Sequence, residues 1–191
     1  MELLIRIDNY EEWACDDSQG FSELDKENVK AQAGFDSVIG IDLVNIGPGA
    51  DFHVILLTIL LGFDLIKLGA DINDGIDGWI EIGKKIRNLF KRKKVVSVDE
   101  EGATALALEL ISRKVNIVRL EKLHESTINL ADLSGMIPTN KGLSQKPYNY
   151  YIQTYRVNDD DIYVIGIKST GEAKIIKHSS RLKPPVRWSH Q

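Results

Sequence analysis

The run VILLTILLGF at residues 54–63 constrains this fold more than any other stretch. Ten helical residues rise only about 15 Å, half of the roughly 30 Å hydrocarbon core of a bilayer. Asp64 and Lys67 then interrupt the apolar character. The run therefore predicts a segment buried within a globule and not a membrane span. With its flanks it reads as a helix from about Phe52 to Leu68, apolar nearly all round, sheltered by the chain's own sheet and helices or by a partner. Asp64 and Lys67 would mark its solvent-facing stripe.

A chain of 191 residues, 43% hydrophobic and 27% charged, has the size and composition of one ordinary globular domain. We expect that domain over residues 1–178, with 179–191 (SRLKPPVRWSHQ and the serine before it) leaving it as a flexible tail. The amino-terminal MELLIRIDNYEEW lacks a basic start and a long apolar core, and reads as a strand, not a signal peptide. The single cysteine, Cys15, cannot form an internal disulfide, which fits a reducing, cytoplasmic setting.

Strands are expected at 2–8 and at 37–46 (SVIGIDLVNI), with a short helix at 23–32 between them. A helix over 75–92 places Ile76, Trp79, Ile80, Gly83, Ile86, Leu89 and Phe90 on one apolar face. VVSV at 95–98 is a short strand. Asp99 caps the helix after it, whose buried face would be Ala103, Leu106, Ala107, Leu110 and Ile111. A strand at 115–121 would close a βαβ-like unit, and 122–147 reads as connecting chain. YNYYIQTYRV, DIYVIGIK and EAKIIKH, joined by NDD and STG turns, form a meander. The class is α+β: a mixed sheet with central helices and a C-terminal three-stranded antiparallel meander.

The helix over 75–92 ends in KKIRNLFKRKK, residues 84–94, with seven basic side chains and no acid. Its start carries Asp74, Asp77 and Glu81, the polarity that a helix dipole favours. An ordinary solvated helix end explains that pattern. A membrane-surface helix, with Trp79 and Phe90 at the headgroup boundary and Lys84, Lys85, Arg87, Lys91, Arg92, Lys93 and Lys94 on anionic lipid, is the sharper alternative. The same residues could meet an acidic protein. The net charge of −4 and the absence of a stacking motif argue against a nucleic-acid partner. A second candidate surface is the tyrosine-rich meander, where Tyr148, Tyr150, Tyr151, Tyr155 and Tyr163 either pack the sheet or present a recognition face.

Catalytic signatures are missing. Gly47 and Gly49 sit between a predicted strand and helix, but the third glycine of a dinucleotide loop would fall on Phe52. DINDGIDG lacks the central glycine and closing glutamate of a calcium loop. His53, His124, His178 and His190 are scattered, and Asp16 and Asp17 beside Cys15 disfavour its thiolate. We therefore assign no catalytic residue, cofactor or metal from the sequence. The expectation is a non-catalytic protein-interaction or accessory module that binds a protein partner or itself. The alternatives are a peripheral membrane protein using 52–68 and 75–92, and an enzyme whose site leaves no motif.

Overall fold

A computed structural model of the chain describes residues 1–6, 23–35, 37–44, 54–61, 71–72, 75–92, 95–129 and 149–180. They form two antiparallel sheets and three helices, the α+β class read from the sequence. The first sheet has the order β2–β3–β1–β5: β1 is Glu2–Arg6, β2 Val38–Val44, β3 Val54–Ile59 and β5 Val95–Val98. The second has the order β4–β6–β7–β8–β9: β4 is Asp71–Ile72, β6 Leu120–Asn129, β7 Asn149–Val157, β8 Asp161–Lys168 and β9 Ala173–Ser180. The helices are α1 (Glu23–Ala33), α2 (Ile76–Lys91) and α3 (Glu100–Ser112).

The apolar run at 54–59 is a strand, correcting the helix expected there. β3 pairs with β1 on one side and β2 on the other, both antiparallel. Four of its six residues, Val54, Ile55, Thr58 and Ile59, are β-branched and suit a pleated surface. Its burial alternates, with Ile55, Leu57 and Ile59 buried and Leu56 and Thr58 half-buried, but Leu56 keeps the less buried face apolar too, so the sequence shows no alternation to distinguish the strand from a helix. Its neighbour β1 is buried on both faces, at Leu3, Leu4 and Ile5. Residues 62–68 of the expected helix lie outside the described residues.

α3 is the hub. It touches α2, β1, β5, β7, β8 and β9, and every residue from Gly102 to Glu109 is buried. Its small alanines let neighbours approach on several sides, so burial spreads beyond the single face expected from periodicity. Leu110, expected inside, is only half-buried. The strand before α3 belongs to the first sheet and the strand after it to the second, so β5–α3–β6 bridges two sheets and is no βαβ unit. That following strand begins at Leu120, not 115, and runs through part of the expected connecting chain to Asn129. The meander is thus extended by β6, with all of β6–β9 antiparallel.

The sheets are also joined directly. The Val98 N–H donates to the Ser169 carbonyl at 2.9 Å. The Tyr151 hydroxyl donates to the Val98 carbonyl at 3.1 Å. Asp99 completes the junction, capping α3 at the Gly102 N–H (2.7 Å) and accepting from the Glu2 N–H of β1 (2.6 Å). Burial pushes the Asp99 pKa up to about 6, against the pull of these two N–H groups.

Candidate functional site

Three constellations bear on function: the basic end of α2, the two faces of the second sheet, and a polar cluster beneath α3. On α2 the apolar stripe is spent on the core. Trp79 is 1% exposed, and Ile76, Ile86 and Leu89 are buried with it. Phe90 is half-buried and packs against the core. Of the side chains the membrane-surface reading places at the headgroups, Trp79, Ile86 and Leu89 are buried and Ile80 and Phe90 half-buried, and the apolar segment proposed to insert beside them is a strand over Val54–Ile59. Several cations of the island are also engaged. Lys84 pairs with Glu81 at 2.6 Å, Arg87 with Glu109 at 3.1 Å, and the Lys85 ammonium lies 5.5 Å from the Phe35 ring centroid. Lys91 and Arg92 are exposed; Lys93 and Lys94 lie outside the described residues.

The tyrosines divide by strand alternation. Tyr151 and Tyr155 on β7 and Tyr163 on β8 point inward and are buried, so they serve packing. Tyr150 lies on the outward face, opposite Ile128 of β6 and Lys168 of β8. Tyr148 lies outside the described residues. A Cβ on Gly166 would overlap the Tyr150 hydroxyl and crowd the Ile176 side chain, so these two residues meet over that glycine. Ile152 pairs with Gly166, and Val164 with Thr154, along the same face. Ile128 and Ile176 are 37% and 53% exposed, while Tyr150, Ile152 and Val164 are half-buried. Around this apolar strip stand Lys174 and Lys177 of β9, His124 of β6 and the Arg156–Glu121 pair, 2.5 Å apart.

Sequence reading missed the third constellation. Gln153, fully buried on β7, donates through Nε2 to Thr104 Oγ1 of α3 (3.0 Å) and Glu125 Oε1 of β6 (2.6 Å). Its Oε1 accepts from the Tyr155 hydroxyl at 2.9 Å. The Lys122 ammonium, buried beside them, lies 2.5 Å from Glu125. Hydrogen bonding to Glu125, burial and the Glu125 charge push the pKa of Glu100, in the first turn of α3, up to about 7. Burial opposes the charge of Glu125 too, but bonds from Glu100, Lys122 and Gln153 hold its pKa below the ordinary value. The chemistry is that of a closed, mutually satisfied polar core. Lysine and glutamine at inward positions of strands were the available signal.

A fourth grouping looks catalytic but is wired otherwise. His178 Nε2 lies 3.1 Å from Asp161 Oδ1, and the Ser180 hydroxyl donates to that same oxygen. Ser180 Oγ is 3.5 Å from the same His178 nitrogen. A relay needs the acid and the nucleophile on opposite ring nitrogens. Here both face one, and the ring is stacked on Tyr163 with centroids 4.3 Å apart. Among the described residues no group of three or more His, Cys, Asp or Glu is placed to hold a metal, and no helix is long and apolar enough to cross a membrane. His53, Cys15 and the Gly47–Gly49 turn lie outside the described residues. Comparison with family models, with curated proteins and with solved structures finds no match to this chain.

Proposed function

We propose that this chain is a non-catalytic protein-binding module whose contact surface is the outward face of the second sheet. The observation that carries this reading is the strip of Ile128, Tyr150, Ile152, Val164 and Ile176, facing away from α3 with a polar rim around it. An apolar centre with aromatic content, ringed by charges, is the composition of a recognition patch. The face suits a partner better than the edge does. β9 carries Lys174 and Lys177, and its register shifts opposite Val164 and Ile165; lysines and a bulge on an edge strand oppose strand addition. The polar cluster under α3 supports the non-catalytic part, because its groups satisfy one another.

Photo-crosslinking in the host tests the reading. A benzophenone residue at Ile176 or Thr154 should trap one discrete species. The same probe at Val118, exposed in the segment before β6 and outside the strip, should not. Ile152→Asp in the probe-bearing chain should abolish the product while circular dichroism stays unchanged. Equal products from all three positions, or none from any, would refute the assignment.

A further inference from the structure

We propose that the outward face of the second sheet receives an acidic amphipathic segment of a partner protein, with apolar side chains on the strip and carboxylates along β9. This assignment rests on that face being the binding surface and adds the chemistry of what it binds. Register places the charges. Lys174 and Lys177 of β9 stand opposite Gly166 and Val164, Lys168 of β8 opposite Tyr150, and Arg156 of β7 opposite Glu121 of β6. Glu121 pairs with Arg156, and Glu172 of the β8–β9 turn with Lys168. Among the described side chains of this face and its turn, those four cations against two carboxylates leave a surplus of two positive charges. The exposed Lys174 and Lys177 carry it. The chain as a whole has the opposite sign, with a net charge of −4.

The surplus lies on one side of the strip. Lys174 and Lys177 flank Ile176 on the edge strand, whereas the β6 side offers His124, Ser126 and the neutralised Glu121. A partner whose carboxylates meet the two lysines thus has its apolar side chains over Ile176 and Tyr150, and charge fixes its orientation. The strip suits a polypeptide better than a nucleic acid. Single strands are held by successive bases stacked on aromatic rings. Among the described residues of this face Tyr150 is the one aromatic, and its hydroxyl end lies over Gly166 against Ile176. Ile128, Ile152, Val164 and Ile176 are branched aliphatics, which pack on side chains of their own kind.

Two labelled peptides test the assignment by fluorescence anisotropy with the intact chain. Both share one leucine pattern; one carries glutamate and the other lysine at every polar position. The chain should bind the glutamate peptide about tenfold more tightly at low salt, with the gap closing as salt rises. Lys174→Gln with Lys177→Gln should abolish the preference, and Lys174→Glu with Lys177→Glu should reverse it. Lys91→Glu with Arg92→Glu, the same charge change at the exposed end of α2, should leave it intact. Equal affinity for the two peptides, no binding of either, or a preference that follows α2 and not β9 overturns the proposal. So does tighter binding of a labelled oligothymidylate than of the glutamate peptide. Photo-crosslinking from Ile176 separates this assignment from the one beneath it. The double reversal on β9 should remove the product that the natural chain gives in the host. A product that persists keeps the binding face and overturns its acidic occupant, whereas no product from the natural chain refutes the face itself and the occupant with it.

Discussion

Phe90 fills the space in which a side chain on Gly171 would stand. Gly171 has a φ of +93° in the turn between β8 and β9, a conformation that side-chain-bearing residues adopt at a cost. This contact seats the end of α2 on the second sheet, next to the point where the basic run reaches solvent. Gly171→Ala suffers twice, by about 1 kcal/mol for the backbone and by about 1–3 kcal/mol for displacing the ring. The urea midpoint should fall with the slope of the transition unchanged. Adding Phe90→Leu should restore part of the loss, and a midpoint equal to that of the natural chain would contradict the packing described.

Glu109 is the electrostatic tie between α2 and α3. It accepts from Arg87 Nη1 at 3.1 Å and from Arg113 Nε at 2.7 Å, with its own side chain 9% exposed. Gly83 on α2 allows this approach, because a Cβ there would strike the Ala105 carbonyl and Glu109. Glu109→Ala should cost about 1–3 kcal/mol, below the range for a fully buried pair, because both arginines are partly hydrated already. A double-mutant cycle with Arg87→Ala should return a coupling of about 1 kcal/mol. Additive losses would show that the two helices pack without it.

These contacts indicate which parts of the fold were legible in the sequence. Helix α2 was plain because its seven apolar positions recur at the helical period and Lys91 and Arg92 mark its end. Strands β5, β7 and β8 were plain because β-branched and aromatic residues are bounded by turns such as Asn158–Asp160. Two segments misled for opposite reasons. β3 is apolar at every position except Thr58, the half-buried Leu56 included, so the alternating burial of Ile55, Leu57 and Ile59 leaves no period in the sequence. Beyond the buried Leu120, β6 is polar at inward positions, where Lys122 and Glu125 meet Gln153 and Thr104 in place of an apolar core. Hydrophobic alternation cannot register a strand whose buried side chains are charged. The same substitution of polar for apolar contacts hid the bonds from Gln153 to Glu125 and Thr104, which join residues 28 and 49 positions apart. Within the tyrosine cluster, composition flagged the sheet correctly, but only the register separates Tyr150 outside from Tyr151, Tyr155 and Tyr163 inside.

Tyr155→Phe probes the buried cluster without touching a charge. The missing hydroxyl leaves Gln153 Oε1 without its 2.9 Å donor in a fully buried setting. An unsatisfied buried acceptor costs about 1–3 kcal/mol. Chemical denaturation should show that loss, and the Gln153 side-chain amide resonances should shift. A variant as stable as the natural chain would mean that water or a rearranged Gln153 replaces the phenol.

The tyrosines also carry an alkaline signature. Burial raises the Tyr151 pKa to about 12 and displaces that of Tyr155 upward as well, from an ordinary value of 10.0. The folded chain thus retains protons that the unfolded chain releases first, so stability falls as pH rises from about 10 toward 12. Absorbance near 295 nm should register fewer than the six tyrosines of the sequence before unfolding begins. The remainder should ionise together with loss of the far-ultraviolet circular dichroism. Tyr151→Phe and Tyr155→Phe should each shorten that late phase by one phenol and leave the early phase intact. If either substitution instead removes a phenol from the early phase, that ring is open to hydroxide, and the inward face of β7 is not the sealed surface described above.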